Sequence, residues 1–209
     1  GRTVLDVGYD VSPRGRYGVA VHRAALFDVL YGAVRADKID IVTDNEISGI
    51  NYRELYPALA GTNQPAVKFA DFVVDASGAR SRLIGQYAKE PAEPKPLAYG
   101  AFWASLKWCG DGFDAHALMQ RYRGASVMIG VLPIGSMTPG GEPMAAFFWS
   151  LKPDDAAAVR AGGLDAWKDK VADYWPEARA YLDQIGSFDD LTLARYGHHT
   201  LKYPVGRDV

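Results

Sequence analysis

The run Ala70-Asp71-Phe72-Val73-Val74-Asp75-Ala76-Ser77-Gly78-Ala79-Arg80-Ser81-Arg82 constrains the fold of this chain more than any other segment. Phe72, Val73 and Val74 are β-formers with no polar interruption, which predicts a strand covered on both faces, as in a parallel sheet. Gly78 supplies the backbone freedom for a sharp exit, and Arg80 to Ile84 predicts a helix start. Strand, glycine turn and helix start together predict a place where backbone N–H groups face an anion.

Charge and cysteine usage narrow the functional classes. A net charge of −2 and a pI near 6.1 leave no basic footprint, so neither nucleic acid nor an acidic membrane is an expected partner. Cys109 is alone, which precludes an intrachain disulfide and predicts a reducing, cytoplasmic compartment. No apolar run reaches the length of a membrane span, and the first residues carry no signal-peptide core. His198 and His199 are neighbours that alternate faces on a strand, and His22 and His116 lack ligand spacing, so no metal site is expected. No serine stands in a nucleophile elbow, and no catalytic side chain can be singled out.

Hydrophobic periodicity organises the rest. Leu26, Val29, Leu30, Ala33 and Val34 recur at helical spacing within Val21 to Val34. Val4 to Tyr9, Ile39 to Val42, Glu46 to Tyr52 and Val67 to Phe69 read as short strands, the last two flanking a polar excursion through Gln64 and Pro65. Pro91, Pro94 and Pro96 interrupt a Lys/Glu-rich stretch and mark the best boundary. Beyond it, Leu97 to Trp108, Ser126 to Ile134 and Met144 to Leu151 predict an antiparallel or mixed sheet. Helices are predicted from Pro153 to Gly162-Gly163, from Leu164 to Trp175 and from Pro176 to Ile185, followed by a strand from Leu191 to Tyr196. The predicted class is α/β (α+β), with helices covering a mixed sheet.

Two motifs carry a resemblance to a known family. Arg23-Ala24-Ala25-Leu26-Phe27-Asp28-Val29-Leu30 resembles the Arg-x-x-Leu-x-x-x-Leu helix start of FAD-dependent aromatic-ring hydroxylases of the para-hydroxybenzoate hydroxylase type. Ala76-Ser77-Gly78-Ala79-Arg80-Ser81-Arg82 is similar to their Ala-Asp-Gly-x-x-Ser loop, with Ser77 where the family usually has Asp. The resemblance implies that Arg23, Ser77 and Gly78 contact FAD. It also implies an electron donor, NADPH or NADH, whose role at this loop is weakened by a neutral hydroxyl in place of a carboxylate. The resemblance further implies a partial FAD-binding, Rossmann-like domain over residues 1–90, a substrate domain over 91–200 and a return to the FAD domain over 201–209. The family's Gly-x-Gly-x-x-Gly is not found, and Gly206 to Val209 looks like the approach to its Gly-Asp loop. The expectation is therefore a middle piece of a monooxygenase, inactive alone, whose parent inserts oxygen from O2 into an aromatic or polyketide-like molecule through a flavin hydroperoxide. A flavin reductase or halogenase of similar fold, or a non-catalytic ligand-binding domain, are the alternatives.

Strand alternation sets Tyr99, Ala101 and Trp103 on one face and Phe102, Leu106 and Trp108 on the other. One face is expected on the late helices and the other above the flavin. Tyr99, Trp103 and Phe147 are the predicted substrate-pocket residues, set against ordinary core packing.

Overall fold

The computed structural model describes residues 2–8, 15, 18–53, 56–63, 67–88, 95–198 and 201–203. The elements in chain order are α1 (Arg23–Ala36), β1 (Ile47–Arg53), β2 (Tyr56–Gly61), β3 (Val67–Phe69), α2 (Ile84–Tyr87), β4 (Lys95–Pro96), β5 (Gly100–Lys107), β6 (Met119–Arg123), β7 (Val127–Gly135), β8 (Met144–Leu151), α3 (Ala156–Ala161), α4 (Leu164–Tyr174), α5 (Arg179–Leu182), β9 (Thr192–Ala194) and β10 (Gly197–His198). The chain divides into two compact units: Gly1–Asp37 with Ala101–Ala194, and Lys38–Gly100 with Arg195–Val209. Pro91 and Pro94 of the expected boundary, and the terminal run Pro204 to Val209, lie outside the described residues, as do Gln64, Pro65 and His199.

The first unit is built on a five-stranded sheet of order β6-β7-β8-β5-β9. The pairs β6–β7, β7–β8 and β5–β9 are antiparallel. Period-two alternation sends Phe102, Ala104 and Leu106, Ile129 and Val131, and Ala145, Phe147, Trp149 and Leu151 into one core. The helical side supplies Trp167 and Val171 at a spacing of four on α4, then Trp175, Tyr181, Leu182 and Ile185. Trp167 meets Phe102 and Phe147 edge-on, with ring centroids 6.5 and 6.3 Å apart. Each such fully buried side chain contributes about 1.5–3 kcal/mol through removal of apolar surface from water. Pro153 and Pro176 stand in the first turns of short 3₁₀ segments that lead into α3 and α5, where a missing N–H costs nothing.

Helix α1 forms as the periodicity predicts, but none of its residues is buried. Leu26, Phe27, Val29 and Leu30 remain exposed. Its start is tethered: the His22 amide donates to the Ile134 carbonyl at 2.7 Å, and His22 Nδ1 accepts from the Ala24 amide at 3.2 Å as the helix cap.

In the second unit β1, β2 and β3 form an antiparallel sheet. Gln86 joins α2 to β1 by accepting from the Ile50 amide at 2.9 Å and donating to the Ser48 carbonyl at 2.8 Å. Ile50, Val73 and Leu83 form its small core.

Three predicted strands are corrected. The described residues of Val4 to Tyr9, Ile39 to Val42 and Phe72 to Val74 belong to no sheet. Strand identity requires a ladder that takes up N–H and C=O groups, and apolar composition does not provide one. Phe72 and Val74 stand 63% and 75% exposed, and only Val73 between them is buried, so the doubly covered parallel strand is replaced by an extended segment that buries one side chain. Conversely, β2 and β6 are strands that hydrophobic patterning did not single out. No helix among the described residues is long and apolar enough to cross a membrane.

Candidate cofactor site

The sheet of the first unit has a second face, turned away from the core helices. Alternation places Trp103, Met128, Gly130, Leu132 and Phe148 there, and all but Gly130 are half-buried. Gly130 is required by close approach: a Cβ at this position would lie 2.0 Å from Phe148 Cζ, because the Phe148 ring lies across the bare backbone. A flat aromatic patch is the result. At its polar margin Tyr122 donates to Gln120 Oε1 at 2.7 Å, and the Met128 amide donates to Ser150 Oγ at 2.8 Å. Gln120, Tyr122 and Leu132 also line a cleft of about 1050 Å3 enclosed by residues 2–7 and 18–20 and the loop around His116.

Arg23, which the family resemblance put forward as a cofactor contact, reaches this face. Its guanidinium lies over the Trp103 ring, 5.5 Å from the centroid. Two residues predicted separately, one for cofactor and one for substrate, are thus in contact. Phe147 is placed otherwise. It is fully buried on the opposite face against Trp167, so its position is that of a core residue, fixed by the register Val131 to Phe147 that points both side chains at α4. Tyr99 precedes β5 and is exposed.

Ser77 and Gly78 lie in the second unit and are exposed. Gly78 adopts φ +81° with open space where a Cβ would stand, so its requirement is conformational. The turn closes in part on its own side chains. The Ser77 amide donates to Asp75 Oδ1 at 3.1 Å and the Ser77 hydroxyl to the same oxygen at 2.5 Å. Asp75 Oδ2 accepts from the hydroxyls of Ser81 and, at 3.2 Å, Tyr87. Ser81 Oγ accepts in turn from the amides of Leu83 at 3.1 Å and Ile84 at 3.3 Å. The amides of Ser77, Leu83 and Ile84 are thus taken up by the turn's own side chains.

Asp75 is the organising residue that sequence reasoning passed over, although Asp-x-Ser is the pattern of a side chain that closes a turn on the amide two residues on. Burial pushes its carboxyl upward, but the hydrogen bonds from Ser77, Ser81 and Tyr87 outweigh it and hold the group below the usual carboxylate range. Tyr87 shifts upward through its burial and the Asp75 charge. Arg82 pairs with Glu46 at 3.1 Å, both exposed. Burial also raises the Cys109 thiol, which Gln184 Nε2 contacts at 3.1 Å, so this cysteine is not an activated nucleophile. No three His, Cys, Asp or Glu side chains converge among the described residues.

No family model and no curated protein matches the chain. Solved structures do. A 2-methyl-3-hydroxypyridine-5-carboxylic acid oxygenase superposes with a TM-score of 0.67 at 14% identity, over 88% of this chain and 47% of its own. Klebsiella pneumoniae HpxO, complexed with FAD and uric acid, gives 0.53 at 9% identity over 76% of this chain and 38% of its own. The flavin-dependent halogenase CmlS gives 0.52 at 16% identity, over 87% and 31%. The chain has the fold of a flavoprotein hydroxylase segment. It spans less than half the length of each of these three structures. At such identities the likeness shows the fold, and the chemistry has to be argued from the residues.

Proposed function

We propose that this chain is part of a flavin-dependent monooxygenase that inserts one oxygen atom from O2 into an aromatic or polyketide-like small molecule. The observation that carries the reading is the contact of Arg23 with Trp103 on the sheet face not sealed by helices, in a chain whose fold is shared with an oxygenase and an FAD complex. Bound FAD would supply the O2 chemistry that no side chain provides. The residues fit such a group. Arg23 is a fixed cation able to face an electron-rich or anionic part of it, and Trp103 beside Phe148 offers a flat apolar surface for a ring system.

The chain's own contribution is positional. The aromatic face orients a planar substrate, and the sealed core behind it keeps water from that side. In this reading Ser77 and Gly78 are further cofactor contacts, Tyr99 a further substrate contact, and NADPH or NADH the electron donor. The protein as its gene encodes it, purified natively, is expected to carry bound flavin visible in its absorption spectrum. A flavin-free protein that takes up no added FAD would end the reading. The fold shared with CmlS, together with Ser77 in the loop, favours halogenation as the second reading. Product analysis with and without halide separates the two.

A further inference from the structure

Strand β6 sorts its side chains by charge. Arg121 and Arg123 turn to the helical side, where the Arg121 guanidinium lies over the Trp175 ring at 5.2 Å and Arg123 donates to the Tyr174 hydroxyl at 2.9 Å. The alternate residues, Gln120 and Tyr122, stand opposite Gly130 and Met128 and line the cleft of about 1050 Å3. The other ionisable residues along this cleft are Arg2, Asp6, His116 and Arg121. Arg2 and Asp6 are exposed and of opposite sign, His116 is exposed on its loop, and the Arg121 guanidinium is engaged on the far face. The polar wall that the sheet itself gives to the cleft is therefore uncharged.

Within that wall the protons are already placed. Tyr122 donates to Gln120 Oε1 at 2.7 Å, and Gln120 Nε2 stands 3.3 Å from Met128 Sδ, a weak acceptor. Tyr122 Oη keeps its acceptor capacity, and the second N–H of Gln120 has no other hydrogen-bond partner among the described residues. An acceptor and a donor thus stand side by side at a cleft large enough for a ring compound. We propose that Gln120 and Tyr122 are specificity-determining residues that read the uncharged polar edge of a ring compound, a hydroxyl or a lactam offering one donor and one acceptor, and that reject a carboxylate. A carboxylate brings only acceptors, so Tyr122 could serve it only by turning its proton outward and leaving Gln120 Oε1 unpaired. The inference rests on the monooxygenase reading in one respect, that the ligand of this cleft is the substrate.

The test is equilibrium binding of three probes to the full-length protein: 2-naphthol, 2-methoxynaphthalene, which keeps the rings and an acceptor but has no donor, and 2-naphthoate. Wild type is expected to bind 2-naphthol about tenfold more tightly than either of the others. Tyr122→Phe removes one hydroxyl from an exposed ring and should erase the preference over 2-methoxynaphthalene. Gln120→Leu frees the Tyr122 proton to turn toward a ligand and should shrink the same preference. Equal binding of 2-naphthol and 2-methoxynaphthalene by wild type, tighter binding of 2-naphthoate, no binding of any probe, or a preference that survives Tyr122→Phe would each overturn the proposal. Wild type that carries no flavin yet keeps the preference would remove the monooxygenase reading and leave the cleft assignment standing; flavin-bearing wild type without the preference would do the reverse.

Discussion

The guanidinium carbon of Arg23 stands 5.5 Å from the centre of the Trp103 ring, joining the start of α1 to the sheet face opposite the core. A contact of this kind at an exposed cation is worth about 0.5–1 kcal/mol. Arg23→Ala is therefore expected to lower folding stability by no more than about 1 kcal/mol, while FAD retention by the full-length protein falls clearly. Equal flavin content in wild type and variant, measured by absorbance after gel filtration, would take Arg23 out of the cofactor site.

Gly130 and Phe148 make a second pair. Gly130→Ala places a methyl group inside the Phe148 ring, so the ring must swing away at a cost of about 1–3 kcal/mol. Denaturant melts should show this loss. Combining it with Phe148→Leu should recover part of it, and strictly additive effects of the two changes would contradict the stacking described.

The indole N–H groups of Trp149, Trp167 and Trp175 are buried without a hydrogen-bond partner among the described residues. Replacing a tryptophan whose N–H is unsatisfied by phenylalanine removes volume but no bond. Trp175→Phe is accordingly expected to cost far less than Trp175→Ala, which opens a cavity worth about 3–5 kcal/mol. Comparable losses in the two variants would mean that the indole N–H has a partner after all.

The Asp75 cluster makes the second unit sensitive to acid. A carboxyl held below its ordinary range contributes stability that is fully present above the unfolded value of 3.8 and is lost as pH falls through the lower folded value. Tyr87, raised above 10.0, contributes in the opposite sense: its share is present below that value and lost as pH rises through the folded one. Asp75→Asn should flatten the acid limb of a pH-dependent melting curve. An acid limb unchanged by the substitution would place the transition elsewhere.

What could be read from the sequence was whatever periodicity encodes locally. Leu26 to Val34 predicted α1, Met144 to Leu151 matched β8 at both ends, and Pro176 and Gly163 marked helix limits. Ladder partners are not local, so Ile39 to Val42 and Phe72 to Val74 looked like strands on composition alone. Phe147 was misplaced for a related reason: alternation says which residues share a face, but not which face receives the helices. Asp75 was missed because its role depends on Ser81 and Tyr87, six and twelve residues away, folding back onto one carboxylate.

The five-stranded sheet divides its labour between its two sides. Phe102, Phe147 and Trp149 hold the unit together from one side, whereas Trp103 and Phe148 project from the other and bear little of that load. Changes at Trp103 or Phe148 themselves are therefore expected to cost folding less than changes at Phe102 or Phe147, which leaves that side of the sheet the freer to vary in sequence.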